Sequence, residues 1–202
     1  MTSLSQASTG IDSLLRVPSD PGNGSIQSQG MAMDSRRLQA EEIELVRQSW
    51  QIAKGNEIGM TILIGLIQSK PNFAIRFGVD SGLSVEELQQ EPKVRLQASR
   101  IQGFMETTIT LYDNVPQSRI ESMCRRIGWI HFQKGVNFTA DNWLLFKRIT
   151  VEKVNSAVTG SRSTTFRPRT TSNQRVRAWE KLMRFIIRSM KEGFLQAAAG
   201  HS

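Results

Sequence analysis

The chain has 202 residues, of which 39% are hydrophobic and 22% charged, so it can bury the core of one globular domain of ordinary size. Its single cysteine, Cys124, excludes a disulfide framework and any cysteine-based metal cage. A metal site with two histidine ligands would need both histidines, His131 and the penultimate residue, His201. The net charge is +8, and because no run of about 18 apolar residues occurs, we expect no membrane span.

The N-terminal segment, residues 1–35, contains eight Ser, four Gly, two Pro and no aromatic residue. Such a segment buries too little apolar surface to offset the conformational entropy that it would lose on ordering. We therefore predict a disordered N-terminal tail, followed by an ordered domain over residues 36–196 and a short C-terminal tail over residues 197–202.

The ordered domain has helical periodicity throughout. Apolar residues recur every three to five positions, and they never alternate with polar residues as they would in a half-buried strand. Prolines, which break helices, separate several of these segments. The pattern predicts an all-α fold of six or more helices, with apolar segments over residues 38–53, 58–67, 94–112, 120–131, 138–154 and 176–194.

A basic segment precedes the last predicted helix. Five arginines and no acidic residue lie between Ser156 and Arg177, in a Ser- and Thr-rich stretch whose one aromatic residue is Phe166. Without interleaved aromatic residues, this composition favours an exposed basic loop over a nucleic-acid-binding surface. We predict a loop insert over residues 156–175 and no nucleic-acid partner. Residues 167–172 also have the spacing of a basophilic kinase site, a pattern that is frequent by chance.

His131 lies on the apolar face of its predicted helix. At about 100° per residue, Ile120, Cys124 and Ile127 fall within about 40° of it around the helix axis. Gly135 follows four residues later and can end the helix. A histidine in such a place is either a core residue satisfied by hydrogen bonds or a metal ligand. If it binds a metal, the other ligands must come from a cofactor, and haem supplies four ring nitrogens.

Several segments, taken in order, resemble the globin family. Residues 59–71 look like helix B running into helix C, and Pro71 precedes Phe77 by six residues, as in globins, where this phenylalanine stacks on the haem. Residues 100–105 are similar to the core of helix E. Residues 127–136 are similar to the segment that holds the proximal histidine and the corner after it.

The resemblance extends to both ends of the predicted domain. Trp50 is similar to the helix A tryptophan, and residues 178–179 and 190–194 resemble parts of helix H. Among globins, the neuroglobin-like and nematode neuronal types are the most similar.

This resemblance implies a globin fold, with helices A to H, that holds haem b (iron protoporphyrin IX). His131 would be the axial iron ligand and Phe77 would pack on the haem ring. The other cofactor-binding residues would be Leu63, Arg100, Phe104, Ile127 and Val136.

The distal residue is assigned to Arg100, where most globins have His or Gln. The register that places Gln102 there would turn Glu106 into the core, which is costly for a charged side chain, and the register that places Gln97 there would bury Gln102. Arg100 could also extend outward to solvent or to a haem propionate.

The resemblance further implies reversible binding of O2 or a related diatomic ligand (NO or CO), or of anions. The single cysteine favours a reducing compartment, so we expect a cytoplasmic location. Sensing, redox chemistry or storage is expected more than bulk transport, and a binding protein more than an enzyme. One alternative is a haem redox enzyme with NO dioxygenase- or nitrite reductase-like activity and an electron-donor partner. Another is a haem-free globin fold that acts as a signalling module.

Overall fold

The computed structural model describes residues 37–136, 139–160 and 169–200. In these ranges every regular element is an α-helix, which confirms the predicted all-α fold. The predicted N-terminal tail, residues 1–35, lies outside them. The helices are α1 Ala40–Lys54, α2 Ile58–Ser69, α3 Asn72–Arg76, α4 Val85–Gln90, α5 Pro92–Leu111, α6 Gln117–Gln133, α7 Ala140–Gly160 and α8 Arg169–Ala199. None of these described helices combines the length and the apolar character needed to cross a bilayer.

The two shortest helices, α3 and α4, cannot be predicted from apolar periodicity, because five or six residues make fewer than two turns. Their boundaries follow from local chemistry. The Ser84 hydroxyl accepts a hydrogen bond from the backbone N–H of Glu87 at 3.2 Å, and the Glu87 carboxylate accepts one from the N–H of Ser84 at 2.8 Å. Pro92 then opens α5 at the first helical position, where a backbone N–H is not needed.

Helices α7 and α8 extend into the predicted basic insert, 156–175, from both sides. The insert is therefore shorter than predicted, and its remaining part, 161–168, lies outside the described residues. Arg175, which we expected in an exposed loop, is buried on α8. Its guanidinium donates hydrogen bonds to Asn155 Oδ1 of α7 at 2.7 Å and to Ser172 Oγ at 3.3 Å. These polar contacts stabilise the first turns of α8, which precede the segment with apolar periodicity.

The other end of α8 also differs from the prediction. The helix continues to Ala199, so it includes the first three residues of the predicted C-terminal tail, 197–202. Ala197 is buried, which gives this last turn a packing contact that a small side chain does not reveal in the sequence.

The larger of two hydrophobic clusters, which we call the main core, joins α1, α2, α5, α6, α7 and α8 around Trp50 and Trp179. The two indole rings lie 6.1 Å apart. The Trp179 indole N–H donates a hydrogen bond to Ser49 Oγ at 2.7 Å, and the Trp50 indole N–H donates one to the Glu106 carboxylate. Each buried indole thus has a polar partner, and α1 is tied to both α8 and α5.

The smaller hydrophobic cluster joins α2, α3, α4 and the first half of α5. Its buried members are Leu63, Ile67, Ala74, Val79, Leu88, Val94 and Ala98. Phe73 and Ile101 pack against both this cluster and the main core. Phe73 of α3 and Ile101 of α5 therefore connect the two hydrophobic clusters.

Helices α6 and α8 touch backbone to backbone at two glycines. A Cβ atom on Gly128 would lie 2.8 Å from the carbonyl carbon of Met190, and a Cβ on Gly193 would lie 2.6 Å from the Cα of Arg125. Both distances are shorter than any stable carbon–carbon contact. Beside this crossing, the rings of Phe132 and Phe194 meet edge to face at 5.4 Å. No side chain fits where the two backbones touch.

We expect Gly193→Ala to lower the free energy of unfolding by about 3 kcal/mol, because the added methyl group must push α6 away from α8. Chemical denaturation followed by circular dichroism measures this. Gly160→Ala is the matched control, because it lies at the end of helix α7 and a Cβ atom added there would have nothing within 4 Å. Equal stability of the two variants would show that the two backbones do not touch at this crossing.

Candidate functional site

His131 lies near the end of α6 and is half-buried. Its Nδ1 is 2.8 Å from the carbonyl oxygen of Ile127, one turn earlier. A carbonyl oxygen can only accept, so Nδ1 carries the proton, and in the neutral ring the lone pair is on Nε2. Burial lowers the pKa of His131, and the hydrogen bond to Ile127 only partly offsets this. The imidazole is therefore held neutral in the state that a metal ligand requires.

The corner after α6 places Val136 close to the histidine. Gly135 adopts a left-handed conformation with φ of 64°, and its N–H donates to the carbonyl of Phe132 at 2.9 Å. The N–H of Val136 donates to the carbonyl of His131, also at 2.9 Å. These two bonds form the helix-ending pattern that the position of Gly135 predicts. The half-buried Val136 is thereby held next to the last turn of α6.

Phe77 and Leu63 belong to the smaller hydrophobic cluster. Leu63 is buried within it, and Phe77 packs against it while remaining half-buried. Phe77 follows α3, and its backbone N–H donates to the carbonyl of Ala74 at 2.9 Å. The structure thus brings these two predicted cofactor-binding residues to one cluster.

Phe104 on α5 and Ile127 on α6 pack against the main core, and neither is fully covered. Ile101, one turn before Met105, is also half-buried and contacts both clusters. Phe146 on α7 is likewise half-buried, and it packs against the main core. Together with Phe77, these side chains leave apolar surface on four different helices or corners incompletely buried.

Arg100 is exposed, whereas Gln97 and Ile101 are half-buried. The rotation of α5 has a visible cause: a Cβ on Gly59 of α2 would lie 3.1 Å from the carbonyl carbon of Ala98, so these two helices cross at these small residues. With Ala98 facing α2, Gln97 lies about 20° from Phe104 around the helix, and Arg100 lies about 40° beyond Phe104 on the solvent side. The structure therefore leaves Arg100 on the solvent-exposed side of α5.

If Gln97 takes the distal position instead of Arg100, Gln102 is partly buried, and the structure gives its side chain a hydrogen-bonding partner. Its side-chain oxygen accepts a hydrogen bond from the backbone N–H of Gly59 at 3.2 Å. Burying Gln102 was the objection to placing Gln97 at the distal position, and this bond removes much of the cost. Gln97 and Phe146 were not among the cofactor-binding residues predicted from the sequence. The small pair Gly59 and Ala98 was the available signal.

Other candidate ligands are few in the described part of the chain. No group of three or more His, Cys, Asp or Glu side chains there could hold a metal ion. Burial raises the pKa of the Cys124 thiol to about 12, so this cysteine stays protonated near neutral pH and is a poor nucleophile and metal ligand.

An all-α domain with one neutral, half-buried histidine and incompletely covered aromatic and aliphatic side chains is suited to holding a flat, apolar cofactor. Comparison with known families agrees with this, because the globin family model matches residues 61–190. The chain belongs to the globin family.

Individual relatives are distant. Globin CTT-V from Chironomus thummi piger is 25% identical over 122 residues, which are 60% of this chain and 72% of that protein. Globin CTT-X from Chironomus thummi thummi is 26% identical over 100 residues, or 49% of this chain and 65% of that protein.

Two solved structures have the same fold. The globin-like protein Glb-12 from C. elegans superposes with a TM-score of 0.68 at 18% identity, covering 87% of this chain and 98% of that one. A hexacoordinated haem protein from an anhydrobiotic tardigrade, solved at pH 4, gives 0.64 at 16% identity and covers 78% and 96%.

The lowered pKa of His131 predicts a pH dependence of stability in the haem-free protein. The unfolded chain takes up a proton near pH 6.5, and the folded chain resists it, so this contribution is complete above about pH 6.5 and is lost as the pH falls. The unfolding free energy of the wild type should therefore fall more steeply than that of His131→Gln between about pH 7 and pH 5. Parallel curves, measured by urea denaturation, would mean that the imidazole is solvated.

Proposed function

We propose that this globin binds haem b through His131 and reversibly binds O2 or a related diatomic ligand. The observation that carries the proposal is the half-buried neutral imidazole whose Nδ1 is hydrogen-bonded to Ile127. That bond orients the ring and leaves Nε2 as the nitrogen that would ligate iron. Bound haem would supply an iron with four ring nitrogens and a position for an exogenous ligand.

The residues that would enclose the cofactor are largely apolar. Phe77 would pack on the ring, Leu63 and Phe104 would line the side opposite the histidine, and Ile127 and Val136 would line the histidine side. Their incomplete burial, Leu63 apart, supports this, because a flat apolar ring would remove the remaining exposed surface from water. Ile101 and Phe146 have the same incomplete burial and are added to the set.

We further propose that the sixth iron position stays open. The sequence has only one other histidine, His201, and it follows the end of α8 by two residues. The tardigrade neighbour is described as hexacoordinated, so this chain would differ from it in coordination. An open position serves ligand binding, and it also permits redox chemistry on NO or nitrite if an external protein donates electrons.

We infer a role in sensing, redox chemistry or storage more than in bulk transport. The basis is the sequence outside the predicted globin helices. The Ser- and Gly-rich segment 1–35 and the basic segment before α8 are not needed to carry a ligand on haem. A cytoplasmic location rests on the single, buried Cys124, which has no partner for a disulfide within the chain.

For the distal side we propose Gln97 as the hydrogen-bond donor to the bound ligand, with Arg100 at the rim, where its guanidinium would meet a haem propionate. An exposed guanidinium costs nothing in desolvation, whereas burying it beside the ligand would cost more than burying an amide. A donor at Gln97 would bond the outer oxygen of bound O2, which carries partial negative charge.

His131→Gly should not retain haem after gel filtration, because the iron loses its protein ligand, and adding free imidazole should restore the Soret band. Reconstituted wild type should give the ferrous spectrum of a five-coordinate haem. His201→Ala is the matched control and should match the wild type. A His131→Gly protein that keeps the parental Soret band without imidazole would refute the ligand assignment. Sharp, split low-spin ferrous bands in the wild type would refute the open position.

Gln97→Leu should raise the O2 dissociation rate about tenfold, the effect of losing one hydrogen bond to a partly charged oxygen. Arg100→Leu should change the rate less than about threefold, since its side chain lies at the rim. Stopped-flow mixing with CO measures both. A larger effect of Arg100→Leu would restore Arg100 as the distal residue.

A further inference from the structure

The outer face of α8 carries a row of basic side chains. Their spacing alternates between four and three residues, which keeps them on one side of a helix. We call this row the basic stripe; it consists of Arg177, Lys181, Arg184, Arg188 and Lys191. Leu195 continues the same line by another four residues, so the row and this leucine span about 27 Å. The opposite face of α8 is buried in the main core.

Two of the five basic side chains already have partners. Lys181 forms an ion pair with Glu42 of α1 at 2.7 Å, and Arg188 lies 3.6 Å from Glu121 of α6 and 3.8 Å from Glu192. The other three, at the two ends and the middle of the stripe, form no ion pair with any residue in the described ranges. They are available to an anion outside the molecule.

The positive charge of the whole chain is concentrated in the part of the sequence that contains the basic stripe. Residues 117–202, which include α6, α7 and α8, have 16 Lys and Arg against five Asp and Glu, a net charge of +11. Residues 1–116 have 10 against 13, a net charge of −3. An extended negative surface would therefore attract the part of the chain that contains α6, α7 and α8 more strongly than the rest.

The exposed leucine decides between two kinds of negative partner. Leu195 is 65% exposed, so a large apolar side chain stands in water at the end of the basic stripe. A bilayer offers negative headgroups with hydrocarbon beneath them, and it can accommodate both kinds of side chain. The convex face of a single helix also offers no groove to a folded acidic protein, whereas it can lie along a flat surface.

We propose that the basic stripe docks α8 lengthwise on an anionic bilayer surface. The side chains of Arg177, Arg184 and Lys191 contact lipid phosphate and carboxylate groups, and Leu195 enters the headgroup region. The docking is peripheral and needs no part of the haem site, so it holds or fails independently of the function proposed above.

The test is sedimentation of the full chain with vesicles of phosphatidylcholine alone or with about 30% phosphatidylserine. Wild type should bind only the anionic vesicles, and less as salt is raised. The triple variant Arg177→Gln/Arg184→Gln/Lys191→Gln should bind at least about tenfold more weakly. The control Arg37→Gln/Arg76→Gln/Arg95→Gln removes the same net charge from exposed residues before α1, on α3 and on α5, and should lose less than about threefold.

Equal losses in the two triple variants, or no binding of wild type to anionic vesicles, would overturn the proposal. A third arm measures binding to polyglutamate. If the stripe variant loses binding there while wild type ignores vesicles, the partner is an acidic polypeptide and the bilayer is wrong. Leu195→Gln should weaken vesicle binding severalfold and leave polyglutamate binding unchanged; equal retention on vesicles would also count against the bilayer. Circular dichroism confirms that each variant is folded.

Discussion

The backbone contact of α6 with α8 at Gly128 and Gly193 is the constraint on which the position of His131 depends. His131 lies three residues after Gly128, less than one turn away, so its position is set by where α6 rests on α8. Within that turn the Ile127 carbonyl orients the imidazole, and Phe132 packs on Phe194 of α8. With the backbones in contact, α6 can slide or rotate very little, and the imidazole is held by the long helix α8 as much as by α6.

A second close contact between helices lies where α2 crosses α5. Gly59 of α2 meets Ala98 of α5, and this contact sets the rotation of α5 about its own axis. That rotation turns Gln97 and Ile101 partly inward and leaves Arg100 in water. The result agrees with the energetics of burial, because a guanidinium loses more hydration than an amide. Small residues at both crossings thus set how α5 and α6 are rotated against their neighbours, and with that the positions of His131, Gln97 and Arg100.

Helix α8 combines two roles that its two faces keep apart. One face carries Trp179, which packs on Trp50 and bonds to Ser49 in the main core. The other face carries the basic stripe, and α1 neutralises only one of its charges, through Glu42 and Lys181. A helix that is so firmly held by its apolar face can present fixed charges outward without losing its own order. The position of the charges therefore follows from the packing of the core.

Local patterns in the sequence were sufficient to predict the all-α class, the approximate positions of the long helices and the apolar face on which His131 lies. These follow from the 3.6-residue period and from end signals such as Gly135, which act within a few residues of the chain. Helices α3 and α4 could not be found in this way because they are too short to show a period. The early start of α8 was missed because a buried guanidinium, that of Arg175, has no apolar signature.

By contrast, the rotation of α5 about its axis and the position of α6 on α8 depend on contacts between distant parts of the chain. They could therefore not be predicted from local patterns. Periodicity identifies an apolar face of α5 but does not fix its rotation, so three registers, with Gln97, Arg100 or Gln102 at the distal position, had to be weighed. The rotation that leaves Arg100 exposed and Gln97 half-buried depends on the contact of Gly59 with Ala98, between residues 39 positions apart in the chain. Likewise, nothing near Gly128 in sequence indicates that its partner is Met190. Helix periodicity is a local property, whereas rotation about a helix axis is set by the neighbour against which the helix packs.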